Sequence, residues 1–130
     1  MKIIILVPIY NDWQSASKLL EEINSNIAGL ESQFSIIIIN DASTDQQSIN
    51  ALNTENLHSI KIINMKENRG HARCIATGLK HIFEKEEFDF VIPMDGDGED
   101  RPEEIKNFVE YFNYASDKPI VGERVKRSES

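Results

Sequence analysis

The apolar positions change period along the chain. Ile3–Val7 and Ile36–Ile39 are short, largely β-branched runs without alternation, as strands buried on both faces read. Between them Trp13, Ala16, Leu19, Leu20, Ile23, Ile27 and Leu30 recur at three- and four-residue spacing. That spacing lays one apolar stripe along an amphipathic helix. Ile60–Ile63 predicts a third short strand. Ala72, Ile75, Ala76, Leu79, Ile82 and Phe83 form a second helical stripe, entered just after Gly70. Phe88–Met94 predicts a fourth strand. Ile105, Phe108, Val109 and Phe112 mark a third helix, with Pro102 near its first turn, where a proline is tolerated. A fifth strand is expected at Ile120–Val121, and a shorter helix around Gln46–Leu52.

Strands that alternate with helices imply parallel pairing through right-handed crossovers. The expected fold is therefore α/β, an open, mostly parallel sheet with flanking helices. The chain has 130 residues, the size of one domain with one core. Residues 1–122 are read as that domain. Residues 123–130 are polar and basic without an apolar anchor, and are expected to form a disordered tail.

Charge narrows the partners. The chain has 14 Lys and Arg against 22 Asp and Glu, a net charge of −8. Ten of the acids fall between residues 84 and 104, a poor distribution for gripping a nucleic-acid backbone. Lys118, Arg124, Lys126 and Arg127 make the end an exception. The single cysteine, Cys74, excludes an internal disulfide and a Cys-based zinc cage. It fits a reducing, cytoplasmic location. No apolar run approaches a membrane span, and the N-terminus lacks a signal-peptide pattern.

In open parallel sheets the ligand lies beyond the carboxyl ends of the strands, and the unusual residues collect there. Strand one leads into Pro8-Ile9-Tyr10-Asn11-Asp12, and strand two into Asn40-Asp41-Ala42-Ser43-Thr44-Asp45. Strand three is followed by Asn68-Arg69-Gly70, and strand four by Asp95-Gly96-Asp97-Gly98-Glu99-Asp100. Structural roles exist for most of them. Asp41 and Ser43 suit turns or helix caps, Asn11-Asp12 suits the cap of the first helix, and Tyr10 suits the rim. The acidic loop fits structure less easily. Asp95 and Asp97 flank a glycine, and carboxylates that close repel unless a divalent cation joins them. A solvated acidic turn is the alternative. The loop is not an EF-hand: counted from Asp95, position six is Asp100 and position twelve is Lys106, where that motif needs Gly and Glu. His71 and Cys74 share a helix face, but two residues make no zinc site.

These motifs resemble the family 2 glycosyltransferases, which have the GT-A fold. The resemblance rests on Val7-Pro8-Ile9-Tyr10-Asn11, Asn40-Asp41-Ala42-Ser43-Thr44-Asp45, Asn68-Arg69-Gly70 with Gly78-Leu79, and the D-x-D of Asp95-Gly96-Asp97. The run through Pro102-Glu103-Glu104-Ile105, with Val121-Gly122-Glu123-Arg124, is most similar to the branch that loads sugars onto polyprenyl phosphates. The resemblance implies a Rossmann-like half that binds a nucleoside-diphosphate sugar. Pro8, Tyr10, Asp12 and Asp41 match base and ribose positions, and Arg124 a position near the phosphates. Asp95 and Asp97, with Glu99 as a third ligand, match the site of Mg²⁺ or Mn²⁺. The implied acceptor is a polyprenyl phosphate, with the full-length protein at the inner face of the membrane. Two positions depart from the family pattern: Asn40 stands for its first Asp and Ala42 for its Gly. No residue matches a general base, and the acceptor-binding half lies beyond this chain. The expectation is the front part of a longer enzyme.

Two other readings compete. A nucleotide- and metal-binding module without turnover shares every feature above. A phospho-acceptor receiver domain has a similar size and charge, but its third strand ends in the reacting Asp. Here that place reads Asn64-Met65-Lys66.

Overall fold

The computed structural model describes residues 1–46, 49, 53–95 and 102–116. Strand β1 (Lys2–Ile9) leads into helix α1 (Trp13–Asn26), followed by β2 (Gln33–Asn40) and β3 (Leu57–Asn64). Helix α2 (His71–Lys85) then connects to β4 (Phe90–Pro93), and a 3-10 turn (Pro102–Glu104) opens α3 (Ile105–Ser116). The four strands form one sheet in the order β3-β2-β1-β4, and every pairing is parallel.

The order explains the layering. From β1 the chain steps one way to β2 and β3, then crosses back through α2 to β4 on the far side of β1. With right-handed crossovers, reversing the direction of travel places the connecting helix on the opposite face. Two buried clusters follow. Ile3, Ile5, Val7 and Ile9 meet Leu20 and Ile23 of α1 and Val109 and Phe112 of α3 on one face. Ile4, Leu6, Ile37 and Ile39 meet Cys74 and Ile82 of α2 on the other. All of β1 from Ile3 to Ile9 is buried, which is why its sequence shows no alternation.

Local contacts set the details. Helix α1 ends at Asn26, short of the Leu30 that its apolar stripe reaches. Ile27 and Leu30 still pack on the core from the turn that follows. Strand β4 is shorter than the apolar run Phe88–Met94, and Phe88, ahead of it, makes an edge-on contact with Phe83, centroids 5.1 Å apart. Phe90 stacks on Phe112 at 4.0 Å and so ties α3 to β4. Gly78 lets α2 lie close on β1, since a Cβ there would meet the Leu6 Cδ1 at 2.5 Å. The expected strand at Ile120–Val121, the tail 123–130 and most of the expected helix around Gln46–Leu52 lie outside the described residues. Among the described residues no helix is long and apolar enough to cross a membrane.

Candidate functional site at the carboxyl edge of the sheet

The reversal of strand order falls between β1 and β4, so the crevice of an open α/β sheet is expected beyond their carboxyl ends. Proline helps to open it. Met94 N–H donates to Leu6 O at 2.8 Å, so the even-numbered residues of β1 turn their peptide groups toward β4. Pro8 is the next of these and has no N–H to give. The β1–β4 ladder accordingly ends at Leu6 and Pro93.

Four strand ends are laced together at this edge. Asn11 adopts φ 60° and spends both its backbone and its amide on the loop after β2. Its N–H donates to Ser43 Oγ at 2.9 Å and its Nδ2 to Thr44 Oγ1 at 3.0 Å, while its Oδ1 accepts the N–H of Asp45 at 2.9 Å. Asn40 joins β2 to β3: its Nδ2 donates to Asn64 Oδ1 at 2.9 Å, and its Oδ1 accepts the Ser43 N–H at 3.0 Å. The asparagine at position 40 thus acts as donor to β3 and acceptor from its own turn at once, which an ionised carboxylate, an acceptor only, does not do. Ala42 takes φ 56°, so the turn keeps its left-handed residue without a glycine, at a strain of about 1–2 kcal/mol.

Asp41 is only 2% exposed. Its Oδ1 accepts the N–H of Arg69 at 2.7 Å and its Oδ2 the N–H of Gly70 at 2.9 Å. Asn68 Nδ2 donates to the Asp41 carbonyl at 3.3 Å. Burial pushes the Asp41 carboxyl up, but the two backbone N–H groups, the Cys74 thiol and nearby His71 outweigh it, and the group ends below its ordinary value. Asp41 is thus a carboxylate that holds the 68–70 turn and the start of α2. Of the structural roles open in the sequence, this is the turn-forming one, exerted on a turn distant in the chain, and it caps no helix through its side chain. Cys74 shows the converse effect: burial and the Asp41 carboxylate push its thiol up to about 12.

Around this frame, Tyr10 is 42% exposed beyond the buried end of β1, and Pro8 lies in the strand just below it. Asp12 occupies the N-cap position of α1 without a side-chain capping hydrogen bond, so neither Asn11 nor Asp12 serves as the side-chain cap. Asp95 stands at the end of β4. There His71 Nδ1, from the first residue of α2, lies 3.0 Å from Asp95 Oδ1. No spacing in the chain signals this pair, because only the β3–α2–β4 crossover brings the two residues together. Asp97, Glu99 and Arg124 lie outside the described residues. Among the described residues no three His, Cys, Asp or Glu side chains form a metal cluster. Asp95 and the two acids that follow it in sequence are hard oxygen donors, and such a set fits Mg²⁺ or Mn²⁺ rather than a soft ion.

A groove of about 370 Å³ lies at the opposite edge, lined by residues including Lys2, His58 and Lys61. Its lysines are largely spent: Lys2 pairs with Glu87 at 2.7 Å and Lys61 with Glu86 at 2.9 Å. It lies far from the strand reversal and gathers no comparable set of turns.

Comparison with known proteins bears on the family and the fold. The model of the Glycosyl transferase family 2 matches residues 4–130, and the chain belongs to that family. It is 32% identical over 126 residues to the undecaprenyl-phosphate 4-deoxy-4-formamido-L-arabinose transferase of Proteus mirabilis (strain HI4320). That match covers 95% of this chain and 36% of the relative's length. Among solved structures, S. aureus TarS 1–349 superimposes with a TM-score of 0.68 at 24% identity, over 89% of this chain and 33% of that one. TarS 1–349 in complex with UDP-GlcNAc gives a TM-score of 0.63 at 23% identity, over 89% and 32%. These structural likenesses establish a shared GT-A-like fold.

Proposed function

We propose that this chain is the nucleotide-sugar-binding part of a glycosyltransferase that moves a sugar from a nucleoside diphosphate to a polyprenyl phosphate. The observation that carries the reading is the convergence, in a family 2 chain, of Tyr10, the Asp41-held turn and Asp95 at the strand reversal. The named relative acts on undecaprenyl phosphate, and the TarS structure holds a UDP-sugar. Both support the substrate classes.

Each residue then has a part. The exposed ring of Tyr10 supplies a face for the base, and Pro8 sets the mouth by ending the ladder below it. Asp12, not engaged in capping, accepts hydrogen bonds from the ribose hydroxyls. Asp41 acts on the base through the turn it fixes, since both of its oxygens already accept backbone N–H groups. Asp95, with Asp97 and Glu99 after it, would hold Mg²⁺ or Mn²⁺, which when bound neutralises charge developing on the departing nucleotide. Arg124 adds a guanidinium fork suited to the diphosphate. A polyprenyl phosphate is already anionic, so this chain need not supply a base to activate it. Membrane contact would come from parts of the full-length protein outside this chain.

Calorimetric titration with UDP and with GDP, with and without Mn²⁺, tests the reading. One nucleotide should bind more tightly with Mn²⁺, and Asp97→Ala should remove that gain while the unfolding temperature stays unchanged. Binding indifferent to Mn²⁺, or an undiminished gain in the variant, would overturn the metal role.

A further inference from the structure

We propose that His71 is a positioning residue for Asp95, fixing the carboxylate that begins the metal- and diphosphate-binding loop; this rests on the nucleotide-sugar reading of the site. A carboxylate only accepts hydrogen bonds, so at 3.0 Å the imidazole donates Nδ1–H to Asp95 Oδ1. The donor itself is rigidly placed. His71 is the first residue of α2, and the two residues before it, Arg69 and Gly70, are held through their backbone N–H groups by the buried Asp41. The path from the β2 end to the β4 end thus runs through Asp41, the α2 start, His71 and Asp95. It spans the strand end between them, where Tyr10 stands.

Such a partner has a defined consequence. Hydrogen bonds to a ligating carboxylate orient it before the ion arrives, and removing them typically weakens metal affinity about 10–100-fold. The His71 side chain is 50% exposed, so it contributes to orientation far more than to core packing.

Three variants separate donor from ring. His71→Ala removes both, His71→Phe keeps a ring without the donor, and His71→Asn places an amide N–H near the position of Nδ1. For each, UDP and GDP affinities are measured by calorimetry with and without Mn²⁺, and Mn²⁺ occupancy by electron paramagnetic resonance. The Mn²⁺-dependent gain in affinity should fall about 10-fold in the Ala and Phe variants and return substantially with Asn. Unfolding temperatures should match the parent throughout. A parent that shows no Mn²⁺-dependent gain would overturn the metal reading and this inference with it. A parent that shows the gain, together with an Ala variant equal to it or an Asn variant no better than Ala, would overturn the role of His71 alone.

Discussion

Asp41 Oδ2 accepts the backbone N–H of Gly70 at 2.9 Å, so a buried carboxylate at the end of β2 holds the residue from which α2 starts. Gly70 carries φ 87° and ψ 164°, a region that only glycine occupies readily. The pairing joins the end of β2 to the start of α2.

The first prediction concerns this carboxylate under acid. Its folded value lies below the ordinary 3.8, so it stabilises the fold fully above the unfolded value. That contribution is lost as pH falls through the folded value. Asp41→Ala should cost about 3 kcal/mol near neutral pH and should flatten the acid limb of stability. Urea unfolding of parent and variant between pH 7 and pH 2 measures both. Parallel pH profiles would remove Asp41 as the source.

Two of the positive-φ positions, Gly70 and Ala42, should respond in opposite senses. No atom lies within 4 Å of a Cβ built on Gly70, so Gly70→Ala acts through backbone strain alone and should cost about 1–3 kcal/mol. Ala42→Gly relieves strain at φ 56° but loosens the unfolded chain, and should raise stability by less than about 1 kcal/mol. Thermal unfolding of the two variants checks the signs.

Much of this edge could be read from the sequence, and the reasons for what could not are physical. The unbroken runs around Ile5 and Ile37 announced strands buried on both faces, and the Leu19–Ile23 spacing announced α1. Pro8, Tyr10 and Asp41 were visible as odd residues at strand ends. What Asp41 touches was not visible, because Arg69 lies 28 positions away and only the fold closes that gap. His71 and Cys74 are too few for a zinc site, which leaves them surface or helix-packing roles, and Cys74 does pack, being fully buried. What the fold adds is the partners: the imidazole meets Asp95 and the thiol is buried against Asp41. Asn40 and Ala42 appeared as departures, and Asn64 gave no signal, until the Asn40–Asn64 amide pair and the φ of Ala42 showed how the turn accommodates them.

Cys74 should be unreactive in the native state. Its thiol is fully buried and pushed from 9.0 up to about 12, so almost no thiolate exists at pH 8. Because the folded value is raised, the associated stability is intact below the unfolded value and is lost as pH climbs toward 12. Alkylation at pH 8 should therefore track unfolding, with slow labelling in buffer and fast labelling in denaturant. Equal rates in the two conditions would contradict this burial.

The chain should bind donor without transferring its sugar. The proposed roles account for nucleotide, metal and diphosphate, whereas none holds an acceptor against the anomeric carbon, and that positioning supplies a large share of the rate. Incubation with Mn²⁺, UDP- and GDP-sugars and a short polyprenyl phosphate should give at most slow donor hydrolysis. Multiple turnovers to glycosyl lipid would show that the chain holds its acceptor site after all.

Amide chemical shifts measured during titration with UDP or GDP in Mg²⁺ report where on the sheet the nucleotide sits. The largest changes should fall on Tyr10, Asn11, Ser43, Arg69, Gly70, His71 and Asp95, at the carboxyl edge of the sheet. Changes centred instead on Lys2, His58 and Lys61, around the groove at the opposite edge, would contradict that placement.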